Sequence, residues 1–472
     1  MANHTRPEGP VAYKWLAMTT VAIGTFMATL DASIVNVSLP TIMRSLHTDL
    51  PTAQWVVSVY LLVITGLLLT VGRLADLVGR KPVFTAGLAI FSIGSLLCGL
   101  SGTVWLLISF RGVQAVGAAM IMANSPAIVT QAFPRAERGK ALGMIGTVVA
   151  AGLTTGPALG GFLIAAWGWP LIFLINVPIG AIGIAVARAV LPRERRGTER
   201  HLDIPGAVML LVSLVSLTLA LNQGSERGWD SIYVRTLVLS FLLFGLLFLS
   251  RERRAVHPII DLNLFRNRTF AAASASAFIS FVAAFTVSFL MPFYLSQILG
   301  YAPRRMGLTL AAVPLTLAVI APISGSLSDR IGSRVLGSVG LAVASIGLLL
   351  ISRLGSDPAS SAVILSLVVV GLGSAIFQPP NSSSIMGSAP PHMLGVAAGM
   401  LATMRNLGMV TGLAVSGAVY TSRRLFYAAE LGQTQALVHA FRDAFVVAAL
   451  ICAVGVVISA MRGPAHPREQ AR

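Results

Sequence analysis

The sequence predicts an all-α integral membrane protein: two six-helix halves with two inserted helices between them, fourteen transmembrane helices in all, and both termini cytoplasmic. Three observations predict it. The 472-residue chain is 55% apolar and only 11% charged, with a mean hydropathy of +0.81, too oily for a water-soluble fold. Its apolar runs reach the ~20 residues that a helix needs to cross the hydrocarbon. One short loop also recurs in the second half of the chain, the mark of a duplicated membrane unit.

Charges, prolines and glycine clusters bound the fourteen runs at about 15–39, 53–72, 83–101, 104–131, 141–166, 171–191, 205–222, 234–250, 270–297, 306–326, 335–353, 361–385, 395–421 and 444–461. The seventh and eighth are short and have polar surroundings. With the N-terminus inside, cytoplasmic segments and helix ends hold 23 of the 34 Lys and Arg, the asymmetry that sets orientation. The net charge of +17 therefore speaks of topology and not of a nucleic-acid partner. Arg304, Arg305, Arg423 and Arg424 fall outside against that rule, and the loop around His392 carries no basic residue. MANHTRPEGPVAYK leads straight into the first helix without a small-residue cleavage site, so an uncleaved spanner is expected. Cys98 and Cys452 both fall inside helices and indicate neither a disulfide framework nor a metal cluster.

The recurring loop is GRLADLVGRKPV at 72–83 and GSLSDRIGSRVL at 325–336. Gly72, Leu74, Asp76 and Gly79 align without gaps on Gly325, Leu327, Asp329 and Gly332. Residues 1–191 are then the first bundle, 192–268 a linker with two inserted helices, and 269–472 the second bundle with a short cytoplasmic tail. The charge-rich segments 191–203 and 250–268 that bracket the insertion read as cytoplasmic surface. Gly72 and Gly79 permit tight backbone, Asp76 can face the positive end of a helix, and Arg80 and Lys81 hold the loop on the cytosolic side. Such loops suit a conformational latch between halves.

In the fifth helix Gly152, Gly156 and Gly160, followed by Gly161, recur every four residues and let a neighbouring helix approach closely. Pro157 cannot donate to the carbonyl of Leu153 and should bend the helix there.

The chemistry concentrates on Asp31 and Arg111. Asp31 is the only acidic residue well inside a predicted span, and Arg111 is one of two deep cations, with Arg405. Asp31 lies about eight residues, or ~12 Å, from the outer end of its helix, and Arg111 about seven residues, or ~10 Å, from the outer end of the fourth. At matching depth, and costly alone, the two are expected to interact directly or through water in an interior water-filled cavity. Met27, Ile34 and Ser38 share the face of Asp31, and Gln114 shares that of Arg111. Burial disfavours the charged form of a carboxylate and a nearby guanidinium favours it, so a change in either switches proton affinity. A permanently paired bridge that only joins two helices is the competing reading. Gln378, Arg405 and Tyr60 stand open between lining the cavity and packing, and segment 422–443 is open to being an amphipathic surface helix.

Residues 72–82 resemble the loop signature of the Major Facilitator Superfamily. GLTTGPALGG at 152–161 is similar to the motif of its antiporters, and LDASIVNVSLP at 30–40 to the first-helix motif of its 14-spanner drug:H+ antiporter branch, the EmrB/QacA type. INVPIG at 175–180 and RNLG at 405–408 resemble that branch too. Two positions depart: Ala115 stands where R-x-x-Q-G has its glycine, and Trp169, Pro170, Leu171, Ile172 and Phe173 replace W-R-W-I-F. The resemblance implies the MFS fold and proton-coupled efflux by alternating access. The cargo expected is lipophilic and drug-like, neutral or cationic, exported across the cytoplasmic (inner) membrane by a secondary active transporter and not an enzyme. No G-x-x-x-x-G-K-[ST] loop is present, so the proton motive force is the expected energy source, with no cofactor. Cargo, protons and the bilayer are the expected partners of a monomer, with no nucleic acid, and a periplasmic adaptor protein where a second membrane exists. A dedicated exporter of one metabolite, lipid or antibiotic is the alternative; a membrane enzyme or a non-transporting scaffold is the remote one.

Overall fold

The computed structural model describes residues 10–134, 137–192, 204–254, 262–390 and 394–462, without the side chains of some helical residues, Asp76 and Asp329 among them. Its elements are α1 (Pro10–Ser45), α2 (Leu50–Val78), α3 (Arg80–Gly99), α4 (Val104–Ala132), α5 (Arg138–Trp167), α6 (Leu171–Leu174), α7 (Asn176–Val190), α8 (Ile204–Arg227), α9 (Ile232–Arg254), α10 (Arg268–Phe293), α11 (Pro303–Leu310), α12 (Ala312–Ile331), α13 (Ser333–Ser352), α14 (Ser360–Gly387), α15 (Leu394–Ala428) and α16 (Gln433–Ala460). No strand occurs among the described residues. Every expected run is helical, and twelve spans among the described residues are long and apolar enough to cross a membrane. The helices α8 and α15 fall outside those twelve; the apolar stretch of α8 is only Val208–Leu221.

The chain divides into two compact units, Met1–Val35 with Thr41–Leu211, and Asn36–Pro40 with Val212–Arg472. In the first, α4 packs on both α2 and α3, and α3 also on α7. In the second, α13 packs on α14 and α16, α12 on α14, and α10 on α15 and α16.

Glycines set these contacts, and both units use the same ones. A Cβ on Gly117 of α4 would sit 2.4 Å from the Phe91 nitrogen of α3, and one on Gly373 of α14 2.2 Å from the Ala344 nitrogen of α13. Gly87 and Gly94 press on Ile121 and Gln114 as Gly340 and Gly347 press on Phe377 and Val370. The correspondence is 253 residues between α3 and α13 and 256 between α4 and α14. The repeat that the sequence shows in one loop therefore extends through whole helix pairs, at backbone contact, where any side chain would force the helices apart.

The repeated loop itself is shorter than its sequence suggests. The helix α2 runs on to Val78 and α12 to Ile331, so Gly72, Asp76, Gly325 and Asp329 lie within helices and only Gly79 and Gly332 form the turns. Their φ values of 103° and 92° lie where L side chains are strained. Their N–H groups close the helices on the Ala75 and Ser328 carbonyls.

Segment 422–443 is likewise no separate surface helix. The helix α15 continues to Ala428 and α16 starts at Gln433. Arg423 pairs with Asp443 at 3.4 Å, and the Tyr427 hydroxyl donates to the same carboxylate at 3.0 Å, which raises the phenol above its ordinary value.

Candidate functional site

Four helices of the first unit converge on Asp31. The carboxylate belongs to α1 and is 1% exposed; Arg111 of α4 is 0% exposed. Arg111 donates through Nη1 to Asp31 Oδ2 and, at 2.7 Å, to Gln114 Oε1. Its Nε donates to the Val56 carbonyl of α2 at 3.0 Å. Gln114 Nε2 donates to Asp31 Oδ1 at 2.8 Å and to Ser95 Oγ of α3 at 2.7 Å. Asn176 Nδ2, at the start of α7, donates to Asp31 Oδ1 at 3.2 Å. The carboxylate thus accepts from three side chains on two other helices.

Aromatic rings close the site. The guanidinium carbon of Arg111 lies 4.0 Å from the Tyr60 ring centroid and 5.7 Å from that of Phe173. Tyr60 spends its hydroxyl on the Ala28 carbonyl at 2.9 Å. Cation–π contact and a matched anion make it affordable to hold a guanidinium out of water. The set stays incomplete, because Arg111 Nη2 and Asn176 Oδ1 are buried without a hydrogen-bond partner.

The structure brings together Asp31, Arg111, Gln114 and Tyr60, and adds Asn176, Ser95 and Phe173, which the sequence reading did not single out. Of the alternatives the sequence left open, Asp31 and Arg111 pair directly and both are enclosed, and Tyr60 packs its ring on the guanidinium. Met27, Ile34 and Ser38 are buried. Gln378 on α14 and Arg405 on α15 belong to the other unit, where both are partly buried.

The motif glycines of α5 sit against α1. Cβ atoms on Gly152 and Gly156 would meet Thr29 Oγ1 at 2.1 Å and Ser33 Oγ at 2.5 Å, and one on Gly160 would meet Ile34 at 2.7 Å. Gly161 is buried. The Leu153 carbonyl that Pro157 cannot serve accepts from Ser33 Oγ at 2.7 Å. The second unit repeats this packing: Gly408 and Gly412 of α15 press on Phe278, Phe281 and Val282 of α10. In the first loop Arg80 donates to the Ala127 carbonyl and Gln131, and Lys81 Nζ donates to the Arg188 and Leu191 carbonyls at the end of α7.

A duplicated, glycine-packed helical bundle with many membrane-crossing helices and a buried charge network defines a polytopic membrane transporter. The chain belongs to the Major Facilitator Superfamily, whose profile matches residues 21–270 and 273–472. It is 37% identical over 448 residues to the "Riboflavin transporter RibZ" of Clostridioides difficile (strain 630), spanning 94% of this chain and 97% of that one. It is 34% identical over 406 residues to the "Multidrug resistance protein Stp" of Mycobacterium tuberculosis (strain CDC 1551 / Oshkosh), spanning 86% and 75%. A crystal structure of a bacterial homolog of the human lysosomal transporter Spinster, inward-facing and unoccupied, shares the fold, with TM-score 0.67 at 16% identity over 96% of this chain and 99% of that one.

Proposed function

We propose that the protein exports lipophilic, drug-like compounds across the cytoplasmic membrane in exchange for protons, by alternating access, as a 14-spanner transporter of the drug:H+ antiporter branch with both termini inside. Asp31 is the proton-coupling carboxylate, and Arg111, Gln114 and Asn176 are the donors that hold it.

One observation carries this reading. The main glycine contacts of the first unit recur in the second, yet the charge network does not. By the same correspondences, with Gly152 and Gly408 aligning α1 on α10, the counterparts of Asp31, Arg111 and Gln114 are Ala283, Leu367 and Val370, all buried. The second unit achieves the same helix contacts with apolar side chains, so the fold does not need the ion pair for cohesion. Apolar replacement of a buried pair is often neutral or stabilising, which makes an unneeded pair in a membrane a mark of function.

In the enclosed state three donors compensate the carboxylate charge. A conformation that withdraws Arg111 leaves a carboxylate that is neutral only when it carries a proton. Cycling between the two states takes up and releases a proton. A charge moved through 100 mV yields ~2.3 kcal/mol, enough to sustain a gradient of roughly 40-fold in a neutral cargo. The name of the Mycobacterium relative agrees with drug export. The near full-length match to a riboflavin transporter favours a second reading, a carrier dedicated to one metabolite.

The test is ethidium-driven proton release from everted vesicles, for wild type and Asp31→Asn at equal expression. Release in the wild type that the mutant abolishes supports antiport coupled at Asp31. Equal release in both places the coupling elsewhere, and no release in either turns the search toward a narrower cargo.

A further inference from the structure

The first unit balances its deep cation with a carboxylate; among the described residues the second unit does not. Arg405 sits a third of the way along α15, partly buried, and makes no hydrogen bond or ion pair with any described residue. The helices packed on α15 are α10, α14 and α16. Their one acidic residue, Asp443, is taken by Arg423 and Tyr427 at the outer turn, ~27 Å along α15 from Arg405 at 1.5 Å per residue. A lone guanidinium in a membrane protein is expensive and is normally met by an anion.

The neighbouring polar groups are also unspent. Asn406 is 3% exposed and its Nδ2 donates to nothing; the buried Ser274 and Ser276 hydroxyls of α10 have no partner either. The glycine contacts put these groups on one level. Gly408 meets Phe278 and Phe281, and Gly412 meets Val282, so α10 and α15 run in the same direction. One turn before Gly408, Arg405 and Asn406 are level with Ser274, which lies one turn before Phe278 on the side of α10 that meets α15; Ser276, two residues on, lies on another face. A charged fork, an amide and a hydroxyl, each with unused donor capacity, match an oxyanion.

We propose that Arg405, Asn406 and Ser274 form a subsite for an acidic group, a carboxylate or a similar oxyanion, on the transported compound. This rests on the efflux reading and names a cargo class for it: amphiphiles with an apolar body and one acidic group, distinct from the cationic cargo that Asp31 alone would suggest.

The test is saturable binding of pyrenebutyrate and its uncharged amide, pyrenebutyramide, to the full chain in phosphatidylcholine nanodiscs, with empty discs as background. The wild type is expected to bind the acid about tenfold or more tightly than the amide, the worth of a hydrogen bond to a charged group. Arg405→Gln is expected to erase that preference, and Arg405→Lys to keep part of it. Equal affinity for acid and amide in the wild type, or no saturable binding of the acid, overturns the proposal without needing a variant. So does a preference that survives Arg405→Gln. Repeating the wild-type assay in discs containing phosphatidylglycerol separates two sources of anion: a preserved preference assigns the subsite to cargo, whereas a lost one assigns it to a lipid headgroup and overturns the cargo reading. No proton gradient is present, so failure here leaves the antiport reading to its own test.

Discussion

Asp31→Asn changes almost no volume, so its cost measures charge and donor geometry. The new side chain keeps an oxygen for Gln114 and Asn176, but its nitrogen replaces the Oδ2 that accepts from Arg111. Arg111 keeps the Val56 carbonyl and Gln114 Oε1, and loses its counter-charge. Breaking one side of a buried pair costs about 3–5 kcal/mol; the two surviving acceptors put this case near the lower end, about 3 kcal/mol. At ~2–4 °C per kcal/mol for a unit of this size, the purified protein should melt roughly 6–12 °C lower. Arg111→Gln should cost a similar amount by stranding the carboxylate. The double variant removes both charges and should lie well above the sum of the single losses, by about 2 kcal/mol or more of coupling. Thermal unfolding of all four proteins in one detergent checks this. Additive losses would refute the view that the two side chains are energetically one unit.

The glycine contacts give sharper contrasts. Gly117→Ala and Gly373→Ala each drive a methyl into facing backbone and should destabilise by about 1–3 kcal/mol. Gly143→Ala and Gly146→Ala, with nothing within 4 Å of the new atom, should raise the melting temperature slightly. Gly79→Ala and Gly332→Ala should each cost about 1–3 kcal/mol through backbone strain, with no steric clash at Gly332, as comparative melting would show. Lys81→Met keeps the apolar stem but loses two bonds to the end of α7; about 1–2 kcal/mol of stability should go, read by limited proteolysis near residue 191.

The fold was legible because membrane helices announce themselves: a run of about 20 apolar residues has few alternatives. The ends were less so. Helix α2 passes through Gly72 and Asp76 as far as Val78, since nothing between them blocks a helix and only Gly79 needs positive φ. The Asp31–Arg111 pair was legible for an energetic reason, as two charges in otherwise apolar runs at equal depth must find each other. Asn176 and Ser95 were not, because uncharged polar residues are common in these helices and none signals its partner by itself. The α15 counterpart of the α5 glycines is visible afterwards in the four-residue spacing of Gly408 and Gly412. Whether Asp31 meets water or Arg111 was beyond sequence altogether, since matching depth on two helices allows either.

The contrast between the two units therefore says where function was added. Gly87, Gly94 and Gly117 keep their contacts in Gly340, Gly347 and Gly373, so close helix packing is the inherited requirement of the fold. At the level where the first unit places Asp31, Arg111 and Gln114, the second places Ala283, Leu367 and Val370 and packs as tightly. Each unit then departs from apolar packing at a different place. The first carries a closed network, charge against charge, that conformational change can open. The second carries Arg405, a charge with no partner among the described residues. A site that pairs charge with charge suits a proton, which must be held and released by the protein's own groups; a cation without an anion suits a cargo that supplies one itself. Separating the two sites makes a testable demand: Arg405→Gln should change which compounds are exported while ethidium-driven proton release persists, and Asp31→Asn should abolish the release for every cargo. Loss of proton release in both variants would mean that the two charges serve a single site.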